Sequence, residues 1–209
     1  VVDRSALVVV DLGASGVNLK PTRALGAWGL HEVRLISAPA TLVTLDSSVS
    51  DDLLIEGKLA LMARAYGAVR RAFELSVDYA KERKQFGQAI GKFQAIQHKL
   101  ANCLIALEGV RLVLDHIARL HDGDDADWRY FADCVSAFSG SALRQVALET
   151  QHTFGAIGYA EEHEAPIHFK RVHLDTIALG GALDAKRRLA ARLLDAGGAG
   201  LPQYDLGSA

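Results

Sequence analysis

The sequence has 209 residues, half of them hydrophobic and 23% charged, with a formal net charge of −2. That length suits one or two globular domains with a sizeable core. The near-neutral balance excludes the basic field of a nucleic-acid binder, and no apolar run approaches the roughly 18 residues of a membrane span.

The first residues, VVDRSALVVVDLG, carry Asp3 and Arg4 and lack the charged-then-apolar order and cleavage site of a signal peptide. The chain begins with Val, inside what reads as a strand, which predicts a fragment or a processed product. Residues 1–45 read as β. Ala6 to Val10 suits a buried strand, and Val17–Lys20 and Val33–Ile36 alternate as further strands. The segment 11–16, DLGASG, hints at a phosphate-cradling loop. It lacks the Lys-Ser/Thr of a P-loop and no helical pattern follows, so a plain hairpin turn is expected.

The linker 46–50, DSSVS, leads into a first helix over about 52–83, with Ser50 or Asp51 as N-cap. Leu54, Leu61, Ala65, Ala68, Phe73 and Val77 fall near helical spacing. Gly57 and Gly67 lie inside it. Each costs about 1 kcal/mol against Ala, so each is expected to mark close packing or ligand approach. A second helix over about 92–121 shows an apolar stripe at Ile96, Leu100, Cys103, Leu104, Leu107, Val110, Leu114 and Ile117. The acidic break 122–127, DGDDAD, precedes a third helix over about 126–153, through Phe131, Val135, Phe138, Leu143, Val146 and Leu148. FGAIG at 154–158 interrupts the pattern, which returns at about 161–175 and 182–196. Four helical stretches with short joints predict an antiparallel bundle.

The stretch from Tyr79 to His98, YAKERKQFGQAIGKFQAIQH, joins the first two helices. Arg83, Gln85 and Phe86 stand at a helix end beside a Gly-bounded turn, and Gln94 opens the next helix. Such a group suits an anionic, flat ligand. The alternative for Arg83 is a solvated cation at a helix C-terminus. Cys103 and Cys134 read as small buried hydrophobes, with no Cys/His spacing for zinc; they fit a reduced, cytoplasmic setting. His163, His168 and His173 are spaced five and five, which drifts around a helix, so no metal site is expected.

The 79–98 stretch closely resembles the acyl-CoA dehydrogenase family, where a segment Y-A-x-E-R-x-Q-F-G-x-x-I-G-x-F-Q-A-I-Q-H joins the first two helices of the C-terminal bundle. The resemblance implies a mainly α fold: an antiparallel four-helix bundle over 51–196, preceded over 1–50 by the C-terminal part of a middle antiparallel β domain and followed over 197–209 by a flexible tail. It also implies FAD as cofactor, an acyl-CoA substrate and a homo- or hetero-oligomer, a dimer of dimers. In the family the residue matching Arg83 contacts the FAD pyrophosphate of a neighbouring subunit. The residue matching Phe86 packs on the adenosine part, and the one matching Gln94 helps hold the dinucleotide. The segment 152–163, HTFGAIGYAEEH, resembles the family loop Q-x-H-G-G-x-G-Y-T-E-E-Y beside the adenosine side of FAD, which implicates His152 and Gly155. Here Ala156 replaces a glycine, and His152 and Phe154 replace Gln and His.

The family abstracts the α-proton of the thioester with a Glu while hydride leaves the β-carbon for the flavin. Most members carry that Glu late, in Y-E-G-T, where this chain has Leu179. Others carry it on the first bundle helix, where this chain has Gly57. Lys58 falls where many have an active-site Arg. Glu56, about 100° around the helix from Gly57, is the only candidate base. Two functions follow: a flavoprotein subunit that dehydrogenates acyl-CoA, or a catalytically silent partner that completes the FAD site of a heteromeric relative. A helical binding module without cofactor is the third.

Overall fold

A computed structural model describes residues 6–23, 30–44 and 47–195. The proposed tail at 197–209 lies outside the described residues.

The β-branched and apolar runs near the start form four strands. β1 (Ala6–Val10) pairs antiparallel with β4 (Ala40–Thr44), and β2 (Val17–Pro21) pairs antiparallel with β3 (His31–Leu35). The expected hairpin turn at 11–16 is therefore corrected. β1 does not pair with β2, and the segment is a jog between two parts of one out-and-back ribbon. Asp11 holds the jog by accepting from Ala14 N through its carbonyl and from Gly13 N through Oδ1. Ile36 N donates to the Gly16 carbonyl across the ribbon. Val8, Val9, Leu19, Val33, Leu35 and Leu42 are all exposed, so the ribbon carries uncovered apolar side chains.

α1 spans Ser47–Glu82. It starts earlier than expected, so Ser50 and Asp51 lie inside the helix and are not its cap. Asp52 anchors these early turns to the rest of the bundle: Arg129 clamps it with Nε–Oδ1 at 2.6 Å and Nη2–Oδ2 at 2.7 Å. α2 (Gln94–Asp122) follows a short 3-10 turn at Ile90–Lys92, and α3 (Trp128–Phe154) follows the exposed acidic loop. Asp125 Oδ1 accepts from Asp127 N at 2.9 Å and shapes that loop. α4 (Ala165–Ile177) and α5 (Gly181–Ala190) are joined by a sharp elbow at Ala178–Gly180, and a π turn at Ala191–Asp195 ends the described chain. The fold is an antiparallel four-helix bundle whose fourth leg is this bent α4–α5 pair.

Burial follows the 3.6-residue period. Ala65, Val69 and Phe73 of α1 meet Cys103, Leu107 and Val110 of α2, Leu143, Val146 and Ala147 of α3, and Val172 of α4. A second cluster joins Ile117 to Trp128, Ala132 and Val135. The expected stripes are too wide at four places. Leu54, Leu104, Phe138 and Leu148 are exposed, Leu104 by 41%. These residues sit at the flanks of their helical faces. Among the described residues no helix is long and apolar enough to cross a membrane.

Candidate functional site

Two regions of the bundle hold the residues singled out by the sequence. The first is built where α1 ends. Arg83 N still donates to the Tyr79 carbonyl, closing the last turn, and Ile90 N donates to the Arg83 carbonyl, both at 2.8 Å. Between these bonds, β5 (Lys84–Gln85) and β6 (Gln88–Ala89) form a minimal hairpin. Its two central residues both take positive φ, 52° at Phe86 and 81° at Gly87, the signature of a type I′ turn. Glycine accepts this conformation freely, whereas phenylalanine at positive φ costs roughly 1 kcal/mol or more.

That strain holds Phe86 out from the body of the protein. The residue is 91% exposed, and its ring makes an edge contact with Phe93, with centroids 6.2 Å apart. Arg83, Gln85 and Gln94 are exposed beside it. The Gln85 amide donates to the Lys84 carbonyl at 2.8 Å. Arg83 has no carboxylate partner among the described residues. An unpaired guanidinium beside an exposed ring can take a phosphate in its fork and a flat base on its neighbour.

The end of α3 joins the same region. Tyr79 packs on Phe154 with ring centroids 5.4 Å apart, which ties the last turns of α1 and α3 together. His152 is exposed. Gly155 follows with φ 63° and ψ −138°, and a Cβ built there would meet nothing within 4 Å. Backbone conformation and open space at Gly155 together leave room for close approach of a ligand. By contrast, Gly158 is buried against Phe154 and Gln151, and the Gln151 amide donates to its carbonyl, so that glycine serves packing.

The second region lies toward the other end of α1. Gly57 faces the elbow between α4 and α5, where its missing Cβ would stand 3.2 Å from Leu179 Cδ1. Of the two glycines expected to mark close approach, Gly57 does so. Gly67 has open space around it. Leu179 itself sits in the left-handed region at φ 53°, ψ 30°. Lys58, the next residue on α1, is buried and donates from Nζ to Asp184 Oδ2 at 2.7 Å. The same Asp184 oxygen accepts from Arg188 Nη1, while Arg188 Nε reaches both oxygens of the buried Asp133 at 3.0 Å. Charges of alternating sign thus tie α1, α5 and α3 together behind the elbow. Lys58 and Arg188 hold the Asp184 carboxyl below the usual range.

Glu56 is not brought to this notch. Its carboxylate meets His121 Nε2 of α2 at 3.1 Å. Asp184 and its pairing with Lys58 were not foreseen: the two residues are 126 positions apart, and no local pattern marks them. The only signal was the cation at 58.

The three spaced histidines go to separate tasks. His163 Nδ1 accepts from Ala165 N, His168 Nε2 meets Glu164 at 2.8 Å, and His173 Nδ1 meets the Phe169 carbonyl. Among the described residues no three His, Cys, Asp or Glu side chains could share a metal ion. Cys103 is buried and its thiol is pushed up to about 11 by burial and then by Glu149; Cys134 is half-buried, and both are free.

Comparison with known proteins gives a consistent result. The profile of the acyl-CoA dehydrogenase C-terminal domain matches residues 48–194. The chain is 34% identical over 150 residues to acyl-CoA dehydrogenase IpdE2 of Mycolicibacterium smegmatis, a match spanning 70% of this chain and 46% of that protein. It is 32% identical over 186 residues to acyl-CoA dehydrogenase FadE34 of Mycobacterium tuberculosis, spanning 88% of this chain and 26% of that one. Among solved structures, a variant of the Tcur3481–Tcur3483 steroid ACAD superposes with a TM-score of 0.83 at 27% identity, over 93% of this chain and 53% of that one. The ChsE4–ChsE5 complex from Mycobacterium tuberculosis superposes with a TM-score of 0.77 at 28% identity, over 93% and 52%. The chain spans about half the length of these relatives, or less.

Proposed function

The chain belongs to the acyl-CoA dehydrogenase family, and from that premise we propose that it works as a subunit of an FAD-dependent assembly that dehydrogenates an acyl-CoA thioester, lending contacts to a neighbour's cofactor but no catalytic base of its own. Bound FAD would supply the hydride acceptor. Toward it this chain offers Arg83 for a phosphate, the exposed Phe86 ring for the adenine side, and the amides of Gln85 and Gln94. His152 and the open backbone at Gly155 complete that edge. These residues fit the group because they lie exposed on one edge, Arg83 has no carboxylate partner among the described residues, and the backbone at Gly155 has open space beside it.

The observation that carries the silent-subunit reading is the contact between Gly57 and Leu179. Both positions that hold the family's Glu are occupied by groups that cannot take a proton, and they fill the space together. Asp184 is near the elbow but is held ionised by two cations, which makes it a weak base. Glu56 points to His121 instead. The neighbour solved as a ChsE4–ChsE5 complex supports pairing with an unlike subunit. The steroid ACAD likeness makes a steroid acyl-CoA the first substrate to assay beside fatty acyl-CoA. The setting proposed is the cytoplasm.

The test is acyl-CoA-dependent dye reduction by the FAD-loaded protein, alone and mixed with a Glu-bearing relative. Turnover only in the mixture, indifferent to Glu56→Gln, is expected. Robust turnover by the protein alone, abolished by Glu56→Gln, would make Glu56 the base and this chain a complete dehydrogenase subunit.

A further inference from the structure

Asp184 offers more than a salt bridge. Its two cationic partners, Lys58 Nζ and Arg188 Nη1, both bond the same oxygen, Oδ2. Oδ1 has no donor among the described residues, and the side chain keeps 41% of its surface exposed. The carboxylate packs back on the elbow: a Cβ built on Gly180 would stand 2.7 Å from Asp184 Cβ and 3.1 Å from Oδ2. The elbow and the adjoining turns of α1 and α5 also carry exposed leucines. Leu179, Leu183 and, on α1, Leu54 are all exposed. The elbow therefore presents a carboxylate oxygen without a donor among the described residues, with exposed leucines on the adjoining segments and both cations held on its other oxygen.

We propose that Asp184 Oδ1 is a specificity-determining acceptor that reads a hydroxyl on the acyl group of the CoA thioester lying against the Gly57–Leu179 notch. The inference rests on the acyl-CoA reading above. A purely aliphatic chain laid over this surface would strip water from Oδ1 and give no donor in return, which is unfavourable for a charged group. A hydroxyl restores the lost bond, and a bond to an ionised acceptor is among the stronger ones. An ether oxygen at the same place cannot donate and meets the carboxylate lone pairs. The oxygen stays an acceptor at neutral pH because Lys58 and Arg188 keep the group ionised. Their placement on Oδ2 also fixes the carboxylate plane, so Oδ1 is aimed without cost at the moment of binding.

The test is calorimetric titration of the FAD-loaded native assembly. The probes are a set of hydroxyacyl-CoAs that differ in hydroxyl position, each with its deoxy and O-methyl counterparts. At one position the hydroxyl form should bind about tenfold or more tighter than both counterparts. Asp184→Asn should reduce that preference to about twofold or less, with the assembly's melting and FAD content checked in parallel. Equal binding of all three forms at every position overturns the Asp184 proposal and leaves the acyl-CoA reading standing. A preference that survives Asp184→Asn also overturns it. Should Asp184→Asn fail to assemble, the unaltered protein still decides by its hydroxyl preference. Failure of every acyl-CoA to bind overturns the functional reading and this proposal together.

Discussion

Gly57 on α1 and Leu179 in the α4–α5 elbow fit one into the other: a Cβ on Gly57 would lie 3.2 Å from Leu179 Cδ1. Two residues 122 positions apart (179 minus 57) thus close a notch from opposite helices. Neither can accept a proton, and each occupies the space that a larger side chain at the other would need.

The two glycines of α1 should separate in a stability measurement. Gly67 has open space, so Gly67→Ala should gain most of the helix-propensity difference, about 1 kcal/mol. Gly57→Ala has the same propensity gain but must push Leu179 Cδ1, the end of a flexible, half-exposed side chain. Its gain should be smaller by several tenths of a kcal/mol. Urea midpoints at constant slope would show the difference; equal gains would mean that the notch is not packed.

A second contrast lies on α2. Leu107 is fully buried among α1, α3 and α4 residues, and Leu107→Ala should cost about 2–5 kcal/mol. Leu104, three residues earlier, belongs to the same apolar stripe in sequence but is 41% exposed. Leu104→Asp should leave the bundle folded and cooperatively melting. An unfolded Leu104→Asp protein beside a stable Leu107→Ala protein would place the core on the wrong face of α2.

These contrasts show how far the sequence could be read. The helical period located α1, α2 and α3 to within a few residues, because long amphipathic segments carry their own signal. It could not place the edge of a stripe, since Leu104 and Leu107 are equally apolar. The β region misled in the opposite way. Three of its four strands were legible, but β4 was not singled out and the partners were not, because nothing local says that β1 waits for β4. The Gly-bounded turn at Arg83–Gly87 was legible through motif and turn chemistry together, though not the minimal hairpin that forms it. The Lys58–Asp184–Arg188–Asp133 chain was invisible, since only the fold brings these charges into line.

Glu164 gives a pH signature at the entry to α4. Arg71 grips its carboxylate through Nε at 3.0 Å and Nη2 at 3.2 Å, and His168 adds a contact at 2.8 Å. Arg71 first, then His168, pull the carboxyl from an ordinary value of 4.5 to about 2. The folded group therefore holds its proton less tightly than the unfolded one. Its stabilising contribution is complete above about pH 4.5 and disappears as pH falls toward about 2. Both side chains are about half exposed, so solvent and salt keep the effect small. Glu164→Gln should flatten the acid limb of a melting-temperature profile between those two values. An unchanged acid limb would show that the grip does not persist in solution.

At the hairpin, Arg83→Ala should lower the FAD content of the native assembly while circular dichroism stays unchanged. Among the described residues the Arg83 side chain bonds nothing, so its loss should not disturb the bundle. Full FAD occupancy after the substitution would leave Arg83 as a helix-end cation.

The last prediction concerns gain of activity. If the notch is a dehydrogenase site without its base, a carboxylate at Leu179 should supply one. The elbow backbone is already in the left-handed region, where leucine and glutamate are equally disfavoured, so Leu179→Glu adds little backbone strain. Glutamate is close to leucine in size and meets the same glycine across the notch, and a carboxyl there would be raised once substrate excludes water. Gly57→Glu should do worse, because its Cβ must first displace Leu179. A positioned general base is worth about 10²–10⁴-fold, so Leu179→Glu should raise dye reduction by the FAD-loaded protein about a hundredfold or more over Leu179→Gln. The glutamine variant matches shape without basicity. Equal rates for the two variants, with FAD and acyl-CoA both bound, would mean that this elbow does not face the α-carbon.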